Sequence, residues 1–237
     1  MLMRTSLSQN QNLTLHEGET WHGLPLNSGQ GPLIDQYLLG IHETMFNAVR
    51  EYPRTCAMRF DLHYPAGGQD PQGRHISRFI ASLNAQLEAD ALRRKKARKD
   101  RRAHPCRLRY VWVKEQATAL LPHYHVFVFV NRDAYFCLGD FRQRHGLKPD
   151  DSGTPYHERR ENMAERIVQA WASSLAISPI RAWDLVHFPR SPVHSIDANS
   201  PSAGKEFAEV FERASYFAKA RTKKYGDYSR CFGRSRC

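Results

Sequence analysis

The sequence predicts an α+β fold, a mostly antiparallel sheet with helices packed against it. Three observations lead there. Helical and strand-like apolar patterns follow one another in the order α-β-α-β-β-α-β-α. Two of the strands are neighbours in sequence, joined by a turn so short that they must pair as an antiparallel hairpin. The 237 residues suffice for one substantial domain, and no internal repeat divides them.

Each element has its own signal. Residues 1–30, rich in Gln, Asn, Ser and Gly, read as an irregular lead-in, leaving 31–237 as a single domain. GPLIDQYLLGIHETMFNAVREYP carries Ile34, Leu38, Ile41, Met45 and Val49 at helical spacing, and Pro53 ends it. Ala57, Arg59, Asp61 and His63 alternate with Met58, Phe60, Leu62 and Tyr64, a half-buried strand. The loop AGGQDPQG precedes a long helix from His75 to about Lys99, with Ile76, Phe79, Ile80, Leu83, Leu87 and Leu92 on its apolar side. RLRYVWVKEQ (107–116) is a strand, ATALL a turn, and HYHVFVFV the strand that folds back. A polar loop, RQRHGLKPDDSGTPYHERR, leads to a helix over 161–175. IRAWDLVHF reads as a strand, HFPRSPVHSIDANSPSAG as irregular, and Lys205 to about Lys224 as a final helix.

Charge narrows the function. A formal +11 and pI near 9.6 draw the chain towards a polyanion. Residues 91–109 hold ten Lys and Arg against one Asp, and 213–237 hold eight against one, so the charge is concentrated. Arg93, Arg94, Lys95, Lys96 and Arg98 are expected on backbone phosphates, giving salt-sensitive affinity without sequence specificity. No membrane partner is expected: no run approaches 18 apolar residues, and no apolar face accompanies the basic runs. With no signal-peptide core at the start, the expected location is cytoplasmic. The five cysteines are scattered with no CxxC pair, which argues against a zinc ribbon or disulfide framework.

The chemistry centres on PHYHVFVFV. Period-two alternation turns His123 and His125 to one face, about 7 Å apart along the strand. Folding the hairpin brings Glu115 close to His123, so two imidazoles and a carboxylate converge. That set suits a borderline divalent cation with open positions, which can act as a Lewis acid on a phosphodiester. Asp61 and His63 are competing third ligands, and the plainer alternative makes both histidines hydrogen-bonded rim residues. On the last helix, Phe207, Val210, Phe211, Ala214 and Ala218 form a stripe, with Tyr216 about 180° from Phe207. Lys219 flanks Tyr216 and Lys223 nearly shares its azimuth. A phenol so placed can be a nucleophile, with lysines steadying phosphate charge. Packing is the alternative for Tyr216, and Tyr225 and Tyr228 compete as nucleophiles.

These residues resemble a known family. His123-Tyr124-His125 looks like the histidine–hydrophobic–histidine motif of HUH endonucleases, and Tyr216-Phe-Ala-Lys219 like their nucleophile helix. More narrowly, RFDLHYP, WVKEQ, HYHVFVFVNRDAYF, HFPRSPVHSID, SYFAKARTK and CFGRSR, in that order between about Gly31 and Arg236, resemble the YagK/YfjJ C-terminal domain family, which includes inovirus-type replication proteins of filamentous phages and prophages. The resemblance implies an HUH/Rep-like antiparallel sheet of about five strands with both histidines on a central strand. It implies Mg²⁺ or Mn²⁺ on His123, His125 and Glu115, and attack by Tyr216 on single-stranded or supercoiled origin DNA. That attack leaves a free 3′-hydroxyl and a 5′-phosphotyrosine link, with Lys219 assisting. Position 220 is Ala, so a single-tyrosine mechanism is implied. No helicase-type GxxxxGKS/T loop occurs, so strand separation calls on a host helicase. Two other functions compete: a non-catalytic DNA-binding prophage protein on a degenerate copy of the fold, and a metal-dependent nuclease whose nucleophile is water.

Overall fold

In the computed structural model, the described residues are 6–7, 10–68, 74–97, 104–116, 121–139, 162–225 and 229–236. Short strands β1 (Ser6–Leu7), β2 (Asn10–His16), β3 (Thr20–Trp21), β4 (Leu24–Pro25) and β5 (Leu33–Ile34) precede helix α1 (Asp35–Glu51). Strand β6 (Arg54–Leu62), helix α2 (Arg74–Ala97) and the pair β7 (Arg109–Glu115) and β8 (His123–Asn131) follow. Then come α3 (Met163–Leu175), α4 (Pro179–Ala182), β9 (Val186–His187), β10 (Val193–Asp197), α5 (Ala203–Ser215) and β11 (Phe232–Arg234).

The main sheet runs β10-β6-β8-β7-β11, with β9 continuing the β10 edge along β6, and every pairing is antiparallel. Its central strand is β8, which explains the unbroken Val-Phe run: a strand with neighbours on both sides and helices on both faces has no solvated side to make polar. On one face Met58, Phe60, Trp112, Tyr124 and Val126 meet Phe79, Leu83 and Leu87 of α2 and Ile167 and Trp171 of α3. On the other, Ala57, Val111, Val113, Phe127 and Phe129 meet Leu38, Ile41 and Met45 of α1 and Val210, Phe211 and Ala214 of α5. Burying each large apolar side chain here contributes about 1.5–3 kcal/mol.

The α+β class holds, with six strands in the main sheet where about five were expected. Four segments differ from expectation. Residues 1–30 are not wholly irregular: β2 pairs with β1 and β5, and Trp21 is buried, its ring stacked 5.7 Å from Phe211 and its indole N–H on Asp35 Oδ1 at 2.7 Å. The polar composition hid a few core anchors. In 180–188 only β9 is strand, because Pro179 opens a short helix there. In 187–204, β10 is a true edge strand; Pro189 and Pro192, lacking N–H donors, separate it from β9. The last helix stops at Ser215, nine residues short of Lys224, and CFGRSR supplies the edge strand β11. Gly233 is required there, since a Cβ would lie 2.4 Å from the Trp112 ring. The turn residues 117–120 and the loop 142–160 lie outside the described residues. Among the described residues no helix is long and apolar enough to cross a membrane, and Cys56, Cys106, Cys137 and Cys231 are unbridged thiols.

Candidate functional site

Strand register builds the site. Glu115 on β7 lies directly opposite His123 on β8, and Asp61 on β6 directly opposite His125. Alternation turns all four side chains to the α1/α5 face, at the end where α5 finishes. Asp61 Oδ1 accepts a hydrogen bond from His125 Nδ1 at 2.6 Å, and Asp61 Oδ2 faces His187 Nδ1 at 3.4 Å. With Nδ1 so committed, His125 Nε2 faces His123 Nε2 at 3.2 Å and Glu115 Oε2 at 3.3 Å.

Ligand atoms of Glu115, His123 and His125 thus lie within 4.8 Å of one another. Crowded lone pairs need a positive charge between them. Here a proton can supply it: burial pushes the His125 pKa down, but its bonds to Asp61 and Glu115 outweigh that and raise it above the ordinary value. Burial and the neighbouring His125 push His123 down to about 4, so His123 stays neutral and able to ligate. The donors also fit a divalent cation. Two nitrogens about 2.1 Å from one ion lie roughly 3.0–3.4 Å apart, and the two Nε2 atoms are 3.2 Å apart. Asp61 stands behind His125 as its orienting partner and the His63 ring stacks on His123 at 5.3 Å, so the donor atoms that lie together are those of Glu115, His123 and His125.

Both lysines that follow Tyr216 turn inward. Lys219 Nζ is 2.9 Å from Glu115 Oε2, and Lys223 Nζ is 2.8 Å from Oε1. Burial would push the Glu115 pKa up, yet the bond to His125 and the Lys223 charge hold it far below the usual carboxylate range. This pairing explains why the helix stops early. A continued helix would carry Lys219 away from Glu115, and the ion pairs override good helix formers in the sequence. The expectation that Lys223 touches DNA is therefore corrected: its side chain is 0% exposed and spent on Glu115. Its burial also pushes its ammonium pKa down.

Tyr216 caps α5, half-buried, and opens a single 3-10 turn, Tyr216–Ala218, in place of a continued α-helix. Its ring lies edge-on to His125 at 5.7 Å, with Lys219 Nζ 3.6 Å and the Arg59 guanidinium 5.2 Å from its centroid. Among the described residues nothing hydrogen-bonds its hydroxyl. Next to it, Phe217 stacks on His125 at 5.8 Å. Tyr225 is remote from this cluster in its bonding, with its hydroxyl 3.2 Å from that of Tyr37, and burial pushes its pKa up to about 12. Tyr228 lies outside the described residues.

The structure does not bring the basic run to this site. Arg93, Arg94, Lys95 and Lys96 end α2 on the other face of the sheet; Arg98 lies outside the described residues. Arg94 donates to Ala134 O at 2.9 Å, beyond the far end of β8, which is about 20 Å from His125 at strand rise. Arg94 is also committed inside the fold, 2.6 Å from Asp90 and 4.5 Å from the Tyr135 ring centroid. Arg93, Lys95 and Lys96 are exposed. Sequence reasoning missed Arg59 and His187, and Asp61, a competing third ligand in the sequence, bonds to His125 Nδ1. The alternation that put Arg59, Asp61 and His63 on one face was the available signal; the missing piece was register.

Comparison with known proteins agrees in family. The model of the YagK/YfjJ C-terminal domain matches residues 16–235. The uncharacterized protein YagK of Escherichia coli (strain K12) is 33% identical over 212 residues, covering 86% of this chain and 93% of that protein. The uncharacterized protein YfjJ of the same organism is 28% identical over 219 residues, covering 87% and 96%. No solved structure matches the chain. A family model spanning nearly the whole chain leaves one conclusion: the chain belongs to the YagK/YfjJ C-terminal domain family.

Proposed function

We propose that the chain is a metal-dependent single-strand DNA endonuclease of the HUH type, with Tyr216 as nucleophile, and that it initiates rolling-circle replication. The observation that carries this reading is the Tyr216 ring 5.7 Å from His125, whose Nε2 faces Glu115 and His123. A phenol, a three-donor cation site and two further cations, Lys219 and Arg59, thus lie together. Such a set suits attack on a phosphodiester. Glu115, His123 and His125 would hold a divalent cation, which would supply Lewis-acid polarisation of the phosphate, and two imidazoles to one carboxylate favour Mn²⁺ over Mg²⁺.

The protein groups do the rest. Asp61 holds the His125 ring in one orientation through Nδ1. Tyr216 Oη attacks phosphorus and gives its proton to solvent. The P–O3′ bond breaks, and the departing 3′ oxygen takes up a proton to become a hydroxyl. The 5′ side stays joined to Tyr216, so a later attack by a 3′-hydroxyl can rejoin the strand and return the phenol. Lys219 and Arg59, both against the Tyr216 ring, place positive charge where negative charge gathers during that attack. The substrate on this reading is single-stranded or supercoiled origin DNA. A host helicase opens the duplex, since the sequence carries no phosphate-loop motif of its own.

The test is a denaturing gel with supercoiled and single-stranded DNA of its own replicon and Mn²⁺. Wild type is expected to form a protein–DNA adduct, and Tyr216→Phe none, with DNA affinity changed less than about twofold. Cleavage without an adduct would favour water as nucleophile. Binding without cleavage would favour a non-catalytic DNA-binding protein.

A further inference from the structure

We propose that Arg59 and Arg213 form a subsite that grips a backbone phosphate of single-stranded DNA beside the Tyr216 hydroxyl. The proposal rests on the reading of Tyr216 as a nucleophile only for what happens to that phosphate, and not for the binding itself.

The two arginines come from different elements. Arg59, on β6, shares its face with Asp61, and its guanidinium lies 5.2 Å from the Tyr216 ring centroid and 5.6 Å from that of Phe217. Arg213 lies in the last turn of α5, one turn before Tyr216. Its Nη2 donates to the carbonyls of Arg190 and Ser191, each at 3.2 Å. The same loop accounts for Arg59, whose backbone N–H donates to Pro192 O at 2.8 Å. The gap between β9 and β10 therefore serves both residues, and Ser191 in the left-handed region (φ 53°) shapes it.

Neither guanidinium has a carboxylate in ion-pair contact, and the Asp61 charge acts on Arg59 only from farther off. Arg54, Arg94, Arg109, Arg166 and Arg234 each reach a carboxylate. Arg59 and Arg213 form no ion pair among the described residues, and the Nε of each is buried without a hydrogen-bond partner. Asp61, two residues from Arg59, is engaged with His125 and His187. Burial, and then the Arg59 charge, pull the Arg213 pKa below its usual value, a sign that the two cations feel each other. Holding two cations near each other with no anion in direct contact costs free energy. A shared phosphate removes that cost, and guanidinium forks suit its oxygens. Arg59 touching the Tyr216 ring puts the bound phosphate within the reach of the phenol.

Binding of a fluorescent oligothymidylate in EDTA, across a salt series, tests this without cleavage. Arg59→Gln and Arg213→Gln are each expected to weaken binding about tenfold and to lower the slope of log affinity against log salt by about 0.7. Arg59→Lys, which keeps the charge, is expected to recover most of the slope. Should the glutamine variants fail to fold, tungstate soaked into wild-type crystals decides: the anion is expected between the two guanidiniums. Unchanged slopes in folded variants, or tungstate elsewhere, would overturn the subsite. Reduced slopes with no adduct from wild type and Mn²⁺ would support the subsite and sink the nucleophile. An adduct with unchanged slopes would do the reverse.

Discussion

Four carboxylates are buried among the described residues, Asp61, Asp90, Glu115 and Glu165, and two of them, Asp90 on α2 and Glu115 on β7, at 4% and 2% exposure, are neutralised by different means. Asp90 sits among arginines, with Arg94 at 2.6 Å and Arg166 at 3.2 Å, and accepts from the Tyr135 hydroxyl at 2.8 Å. Glu115 meets two lysines and a histidine, at 2.9, 2.8 and 3.3 Å. Guanidinium is always charged and fixed in shape, so the Asp90 cluster ties α2 to α3 in one arrangement. Ammonium and imidazole are different partners. A lysine is a mobile point charge that another cation can replace, and a histidine can exchange its proton for a metal. The fold meets one electrostatic demand permanently on its α2/α3 face and replaceably on its α1/α5 face. A buried acid with replaceable cations is the one that can act.

The largest effect expected from this contrast is on stability. Asp90→Asn removes the carboxylate that Arg94 and Arg166 share and leaves Tyr135 with a weaker acceptor. Breaking a buried pair in this way costs about 3 kcal/mol. The melting midpoint should fall by roughly 6–12 °C in calorimetry, while Mn²⁺ titration stays as in wild type. A fall of a degree or two would mean that the cluster is not the permanent tie described above.

A smaller effect separates replaceable from permanent partners directly. Lys219→Met removes the ammonium 2.9 Å from Glu115 Oε2, an atom that a cation at His123 and His125 must share. With that competitor gone, Mn²⁺ affinity measured by isothermal calorimetry should rise about tenfold, or 1.4 kcal/mol. Adduct formation should fall, because Lys219 also lies against the Tyr216 ring. Weaker Mn²⁺ binding in the variant would show that Lys219 supports the site rather than occupies it.

How legible these two clusters were in the sequence follows from how local each signal is. The hairpin carrying Glu115, His123 and His125 needs only short-range pairing, and the expected opposition of Glu115 and His123 is the observed register. The α2 stripe and the β6 alternation are likewise local patterns. Lys219 and Lys223 were placed on a helix because Ala, Lys and Arg favour one; only the distant Glu115 pulls them off it. Arg213 and Arg59 lie 154 positions apart. Both bond to the loop between β9 and β10, which a proline-rich stretch gave no sign of forming. Trp21 was lost in polar surroundings for the same reason: Phe211 on α5, on which it stacks, is remote in sequence.

The basic run tests the contrast at its weakest point. Lys95 and Lys96 are exposed at the end of α2, across the sheet from Tyr216 and beyond the far end of β8. A short oligonucleotide held at Tyr216 cannot reach them, because about 20 Å of strand lies between. A longer or duplex ligand can. Lys95→Ala with Lys96→Ala should therefore leave the binding of a three- or four-residue oligonucleotide unchanged. For DNA several times longer, affinity should fall a few-fold, and the salt slope should fall by about one to two in total. Adduct formation on saturating long DNA should stay at the wild-type rate, since no group near Tyr216 has changed. If the short oligonucleotide also binds more weakly, the two ends of the molecule are electrostatically coupled, and the basic run belongs to the site after all.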